Sequence, residues 1–221
     1  MTVEPASAAG LVLLRQTAAD SSGPYSTAAP DAFEVLLGRR HRRSRFMPSV
    51  YVFPGGRIDA ADHRPSGFAE TLPAAPKPPS LDARAFAAHA RAALRETFEE
   101  TGLLVARAGR PQASAAPQTH GVWTAYARAK LAPAFTALRL IARAVTPAEY
   151  PIRFDTYFFA ADGAMAHGKV AGDGELEDIG WVPVTATPSL PMAEVTRLIL
   201  EEALIRQGDS AETTVLATFS V

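Results

Sequence analysis

The most constraining stretch of this chain runs from Leu81 to Arg107. From Leu81 to Thr101 apolar residues recur at helical spacing. Ser80 or Asp82 can cap the start with a side-chain oxygen, and Gly102 suits the left-handed position that follows a helix end. The apolar run Leu103 to Arg107 then reads as a strand. A long helix feeding directly into a strand calls for a sheet with helices packed against it.

The end of that helix carries Arg95-Glu96-Thr97-Phe98-Glu99-Glu100-Thr101-Gly102. Residues three and four apart share a helix face, so Glu96, Glu99 and Glu100 project together. Ala90, Leu94, Thr97, Phe98 and Thr101 fall on another face, which can pack on the sheet. Three carboxylates on one stripe repel one another. Two arrangements relieve this: a solvated acidic helix end, or a cation among the carboxylates. Hard oxygen ligands suit Mg2+ or Mn2+, and the negative end of the helix dipole favours a cation there.

Around this centre the sequence predicts strands at Gly10–Thr17, Ala32–Arg39, Val50–Phe53, Phe154–Ala160 and Ile179–Val184. It predicts helices over Val122–Leu140, broken near Pro133, and over Pro191–Gln207. Ala18–Pro30 and residues 110–118 read as loops, as does the Gly-rich acidic stretch Asp162–Asp178. Residues 63–80, rich in Pro and Ala and without periodicity, read as an inserted surface loop, mobile and peripheral to the acidic face. Helices and strands mix without regular alternation, which predicts an α/β fold with a mixed sheet between helices. No internal repeat is present. One domain over residues 1–221 is expected from the length.

Phe53-Pro54-Gly55-Gly56 ends a strand in a tight turn, and Asp62 follows six residues after Gly56. Together with Arg95 to Leu103, these residues resemble the two halves of the Nudix box. Thr97 stands where an aliphatic residue is usual, and Asp62 where Glu is usual. Thirty-two residues separate Asp62 from Arg95, far more than in the usual box. A surface loop can be lengthened at small entropic cost, so both halves stay readable. Arg45-Phe46-Met47-Pro48, Tyr51 to Asp62 and Arg153 to Phe159 (RFDTYFF) resemble the peroxisomal CoA-diphosphatase branch and its bacterial relatives. The resemblance covers roughly residues 30 to 205.

It implies a Nudix-type α/β/α sandwich with a long insertion inside the box, and hydrolysis of a diphosphate with Mg2+ or Mn2+. By the same resemblance Glu99 and Glu100 are the principal metal ligands, and Glu96 is a further ligand or the base for the attacking water. The Gly55 carbonyl is another candidate ligand, and Arg95 orients the carboxylates. Glu175 or Glu177, in the loop Asp173–Asp178, is a candidate additional acid, though a solvated acidic loop reads the same way.

Arg39, Arg40, Arg42, Arg43 and Arg45 form a basic stretch. They are either a solvated rim or guanidinium forks for the phosphates of a nucleotide-containing substrate. Arg39, Arg40, Arg43 and Arg45 are the candidates for the 3'-phosphate of CoA, but strand alternation keeps them from all facing one pocket. Arg153 and Asp155 either line the site or pair with neighbours. His89 lies two turns before Glu96 and reads as a surface or supporting histidine.

The net charge of -1 argues against a broad grip on nucleic acid. With no cysteine, disulfides, thiolate catalysis and structural zinc fingers are excluded. No apolar run reaches membrane-spanning length and no signal peptide is evident, so the expectation is a cytoplasmic protein off the membrane, with a small-molecule partner. A homodimer is the assembly to look for. No P-loop, GxGxxG or Gly-x-Ser-x-Gly motif occurs. Two rival functions stand beside CoA or acyl-CoA cleavage. One is a Nudix pyrophosphatase acting on ADP-ribose, dinucleotides or nucleoside triphosphates. The other is a non-catalytic Nudix-fold regulator that binds nucleotides.

Overall fold

The computed structural model describes residues 3–17, 32–72, 81–107, 121–207 and 217–220. The central strand is β1 (Ala6–Gln16), followed by β2 (Phe33–Arg40), β3 (Tyr51–Val52) and β4 (Gly55–Arg57). Helix α1 (Ala83–Thr101) leads into β5 (Leu104–Arg107), and α2 (Gly121–Ala129) into β6 (Ala132–Pro133). Then come β7 (Arg139–Val145), β8 (Phe154–Asp162), β9 (Ala166–His167), β10 (Leu176–Pro183), α3 (Glu194–Ile205) and β11 (Ala217–Ser220).

The large sheet is mixed, in the order β10-β2-β1-β8-β7-β11, with β3 added to β2 and β4 to β1. The β1–β8 and β7–β11 pairs are parallel and the others antiparallel. Side chains alternate along a strand. Leu11 and Leu13 of β1 therefore join the α1 and α2 side of the core, with Phe86, Leu94 and Phe159. Val12 and Leu14 point the other way, into the cluster that holds Ile141 of β7 and Ile199 and Leu200 of α3. Burial on both faces explains why β1 reads as a continuous apolar run. The result is an α/β/α sandwich. No helix among the described residues is long and apolar enough to cross a membrane.

Asp82 caps α1, its side chain accepting from the Ala85 N–H at 2.7 Å. The alternative cap, Ser80, lies outside the described residues, as do the predicted loops 18–30 and 110–118. Gly102 closes the helix in the left-handed conformation (φ 73°). Thr97, expected to be aliphatic, is fully buried and donates its hydroxyl to the Ala93 carbonyl at 2.7 Å, so no polar atom is stranded.

Two expectations need correction. The helix predicted over Val122–Leu140 stops at Ala129. Beyond it come β6, a short 3-10 turn at Phe135–Ala137, and β7, which pairs with β8. The described part of the segment 63–80 is exposed at His63 to Pro65, Ala69 and Thr71, but it is not a wholly solvated surface loop. Ser66, Gly67 and Phe68 are buried, and Phe68 packs edge-on against Tyr126 and beside Trp123. Glu70 forms a buried ion pair with Arg91 of α1. Residues 73–80 lie outside the described set.

Candidate active site

The last two turns of α1 lie against the β4 turn, with nothing between carboxylate and backbone. Glu100 Oε2 accepts the Gly55 N–H at 2.7 Å. A Cβ on Gly56 would sit 2.5 Å from the Glu96 carboxyl carbon. One on Gly55 would sit 2.5 Å from the Ala9 carbonyl of β1. The Gly-Gly turn is therefore a matter of space: one residue lets β4 lie on β1, the next lets Glu96 lie on β4.

Arg95 organises the acids. Its Nε and one terminal nitrogen reach the two Asp62 oxygens at 3.1 and 2.9 Å. Its other terminal nitrogen donates to Glu96 and Glu99, both at 2.8 Å. A further bond of 2.9 Å goes to the Arg57 carbonyl. Asp62 is buried (2 % exposed) and also caps the turn before it, accepting from the Asp59 N–H at 2.7 Å. The two halves of the motif, far apart in sequence, are thus joined by a buried ion pair.

Burial pushes the Glu96 carboxyl up to about 7, against the pull of Arg95 and with added repulsion from Glu99 and Glu175. Burial also raises Glu100 well above the usual carboxylate range, although the Gly55 N–H opposes this. Arg95 is the cation that contacts this group, and Asp62 already claims half of it. Oxygen-only donors that are too crowded to ionise freely fit a hard divalent cation. Among the described residues, however, no three such side chains already converge into a ligand shell. Glu96 and Glu99 are held by Arg95, and Glu100 by Gly55.

Glu96 opens into a cavity of about 530 Å³. Arg40, Arg57 and Glu175 join it at the polar end, and Phe46, Tyr150, Phe154 and Phe158 are among its apolar walls. Glu175 is the candidate additional acid that lines this space. Glu177 turns to Arg39 (3.0 Å) and His41 (3.6 Å) instead.

Among the arginines proposed to bind substrate, the structure brings Arg40 to the cavity, 3.7 Å from Glu175. Arg39, next along the strand and so on the opposite face, is tied to Asp178 at 2.8 Å and to Glu177. Arg43 and Arg45 are exposed and do not line the cavity. Arg153 bonds the carbonyls of Thr146 and Val3, and Asp155 pairs with Arg143. His89 is buried away from the carboxylates. It donates to the Ala85 carbonyl at 2.7 Å and receives the Ser7 hydroxyl at 2.9 Å. Sequence reasoning missed Arg57 and the aromatic wall. A cation directly after the Gly-Gly turn was the available signal for Arg57.

An α/β/α sandwich that presses helix-borne acids onto a Gly-Gly turn beside a deep cleft has the architecture of a Nudix hydrolase. Comparison with solved structures supports a place for this chain in the Nudix hydrolase superfamily. No family model matches it, and two relatives carry the assignment. A NUDIX hydrolase from Alicyclobacillus acidocaldarius is 28% identical, with a TM-score of 0.70 over 98% of this chain and 99% of that one. The acyl-coenzyme A diphosphatase NUDT19 of Gallus gallus is 38% identical over 134 residues, 49% of this chain. The match spans only about a third of that relative's length (35%). The NUDIX domain of Shewanella oneidensis NrtR, solved with ADP ribose, shares the fold at 13% identity and a TM-score of 0.50, covering 93% of this chain and 90% of that one.

Proposed function

We propose that this chain hydrolyses the diphosphate bond of a nucleotide-containing substrate, with CoA or an acyl-CoA as the best fit. The observation that carries the reading is the crowding of Glu96, Glu99 and buried Glu100 at one helix end, with Glu96 and Glu175 both lining the polar end of one cavity. NUDT19, the acyl-CoA diphosphatase that half of this chain resembles, supports the choice of CoA.

Glu96, Glu99 and Glu100 would hold Mg2+ or Mn2+. Bound there, the cation would neutralise the diphosphate and acidify the attacking water. Arg95 keeps Glu96 and Glu99 aligned through charge-assisted hydrogen bonds. Glu175, which lines the cavity with Glu96, would be the acid left to take the water's proton. Arg40, close to Glu175, meets the substrate's phosphates. The apolar wall excludes water and takes the uncharged part of the substrate. Water adds across the P–O–P bridge: its oxygen bonds one phosphorus and the bridging oxygen leaves with the other. From CoA the products are 3',5'-ADP and 4'-phosphopantetheine.

The test is product identification by mass spectrometry with CoA, ADP-ribose and dinucleotides, with Mg2+ or Mn2+ and after EDTA. CoA cleavage that needs the cation is expected. Glu100→Gln should lower kcat by ~10²-fold or more. Activity that survives EDTA, or wild-type turnover in Glu100→Gln, overturns the metal reading.

A further inference from the structure

Helix α1 buries two arginines one turn apart, Arg91 and Arg95, which are 6 % and 5 % exposed. Like charges at this spacing repel, and burial sharpens the penalty. Each has its own counter-ion. Arg95 has Asp62, Glu96 and Glu99. Arg91 has Glu70, whose two oxygens both lie 3.0 Å from its Nε and which also contacts a terminal nitrogen. Glu70 is seated by the Ser66 N–H at 2.5 Å. Arg91 is also linked to Asp62, whose backbone carbonyl accepts from it at 2.7 Å. A continuous chain of hydrogen bonds, buried at Arg91, Asp62 and Arg95, therefore runs Glu70–Arg91–Asp62–Arg95–Glu96/Glu99, from the inserted segment to the acidic helix end. No buried side-chain nitrogen or oxygen among the described residues lacks a partner.

We propose that Glu70, supplied by the insertion, is a positioning residue that sets the affinity of the acidic site for a divalent cation. Without the Glu70 charge, Arg91 keeps only the Asp62 carbonyl and draws on the Asp62 carboxylate, the nearest counter-charge along this chain. Arg95, losing part of Asp62, then holds Glu96 and Glu99 harder. Those are the groups a cation must pull away from it. The insertion thus serves the site by occupying Arg91, although Glu70 does not line the cavity. This inference rests on the metal reading above.

The experiment measures free Mn2+ by electron paramagnetic resonance during titration of the intact protein, with no substrate present. Loss of a group that orients metal ligands through a neighbour typically weakens affinity about 10- to 100-fold, so Glu70→Gln should raise the apparent Kd about tenfold. Phe68→Leu loosens the same segment while leaving every charge in place, and should lower Tm without moving the Kd. The double variant Glu70→Gln/Arg91→Gln removes the stranded cation and should bring the Kd back toward the wild-type value. If Glu70→Gln does not fold, Glu70→Asp, with the charge kept but the reach shortened, should raise the Kd part of the way.

An unchanged Kd in Glu70→Gln overturns the proposal, and so does an unchanged Kd in Glu70→Asp where that variant stands in. An equal rise in Phe68→Leu, or no recovery in the double variant, overturns it too. In those cases wild-type Mn2+ binding leaves the metal reading standing. A wild-type protein that binds no Mn2+ removes both.

Discussion

A methyl group on residue 56 would lie 2.5 Å from the carboxyl carbon and one oxygen of Glu96, and 2.7 Å from the other oxygen. Non-bonded heavy atoms sit best at roughly 3.5–4.0 Å, so in Gly56→Ala the carboxylate must retreat by about 1 Å. Retreat is feasible because the clash is with the tip of a side chain. It costs Glu96 part of its bond to Arg95, about 1 kcal/mol, which alanine's smaller unfolded-state entropy partly offsets. The expected fall in Tm is therefore roughly 2–4 °C or less. Misplacing a reacting or ligating group by 1 Å costs about 10²-fold in rate, or ~2.7 kcal/mol.

Gly55→Ala is the matched contrast. Its methyl would meet the Ala9 carbonyl at 2.5 Å and the Gly10 Cα at 2.7 Å. Both are backbone of the central strand and cannot swing aside. Overpacking of this kind costs about 3 kcal/mol, a Tm loss of roughly 6–12 °C. Differential scanning fluorimetry and kcat/KM for CoA, run on both variants, separate the two effects. Wild-type kcat/KM in Gly56→Ala, or a Tm loss equal to that of Gly55→Ala, would refute the argument that Gly56 exists to seat Glu96.

Two further outcomes are expected. Arg40→Gln should lower kcat/KM for CoA by roughly ten- to a hundredfold while leaving 3'-dephospho-CoA nearly unchanged, and Arg39→Gln should leave both nearly unchanged; identical ratios in the two variants would show that neither arginine reads the 3'-phosphate. His89 is held neutral, since burial lowers its pKa below the ordinary 6.5. The unfolded chain therefore binds the extra proton first, and the stability present above about pH 6.5 is lost as pH falls through that value toward the folded pKa. Tm followed from pH 8 to pH 5 should show this loss in the wild type and a weaker one in His89→Gln; parallel curves would sink the assignment.

The acidic face was legible because it lies within one helix, where spacing alone fixes which residues share a side. The same local logic placed the Gly-Gly turn, β1 and α3. It failed where tertiary contact decides. Leu131 to Leu140, the second half of the expected helix, is rich in Ala and Leu, good helix formers. Pairing of Arg139–Val145 with β8 overrides that propensity. Phe68 and Glu70 sit in a Pro/Ala-rich segment with no period, so neither their burial nor their partners across α1 left a trace. The distance from Asp62 to Arg95 hid a contact that only the fold can bring about. Strand alternation already implied that Arg39 and Arg40 could not share a pocket, but which of the two faces the cavity only the fold could decide.

The parallel pairing of β1 with β8 sets an order of events in time. Ala6 pairs with Phe154 and Leu14 with Asp162, so β1 must wait for a partner synthesised well over a hundred residues later. At a translation rate of ~5–20 residues per second, that wait is roughly 7–30 s. During it, β2 can cover one edge of β1, as in the native antiparallel pair, while the other edge stays open. The segment left open, Ala8 to Leu14, is buried throughout in the native protein and carries no charge and no proline. An uncharged apolar strand edge is a template for unwanted pairing with other chains. Contacts of such long sequence separation also fold slowly. Slower synthesis and crowded expression therefore both prolong the exposure of this one strand, and losses to aggregation should track the time to completion of β8 more than the stability of the finished fold.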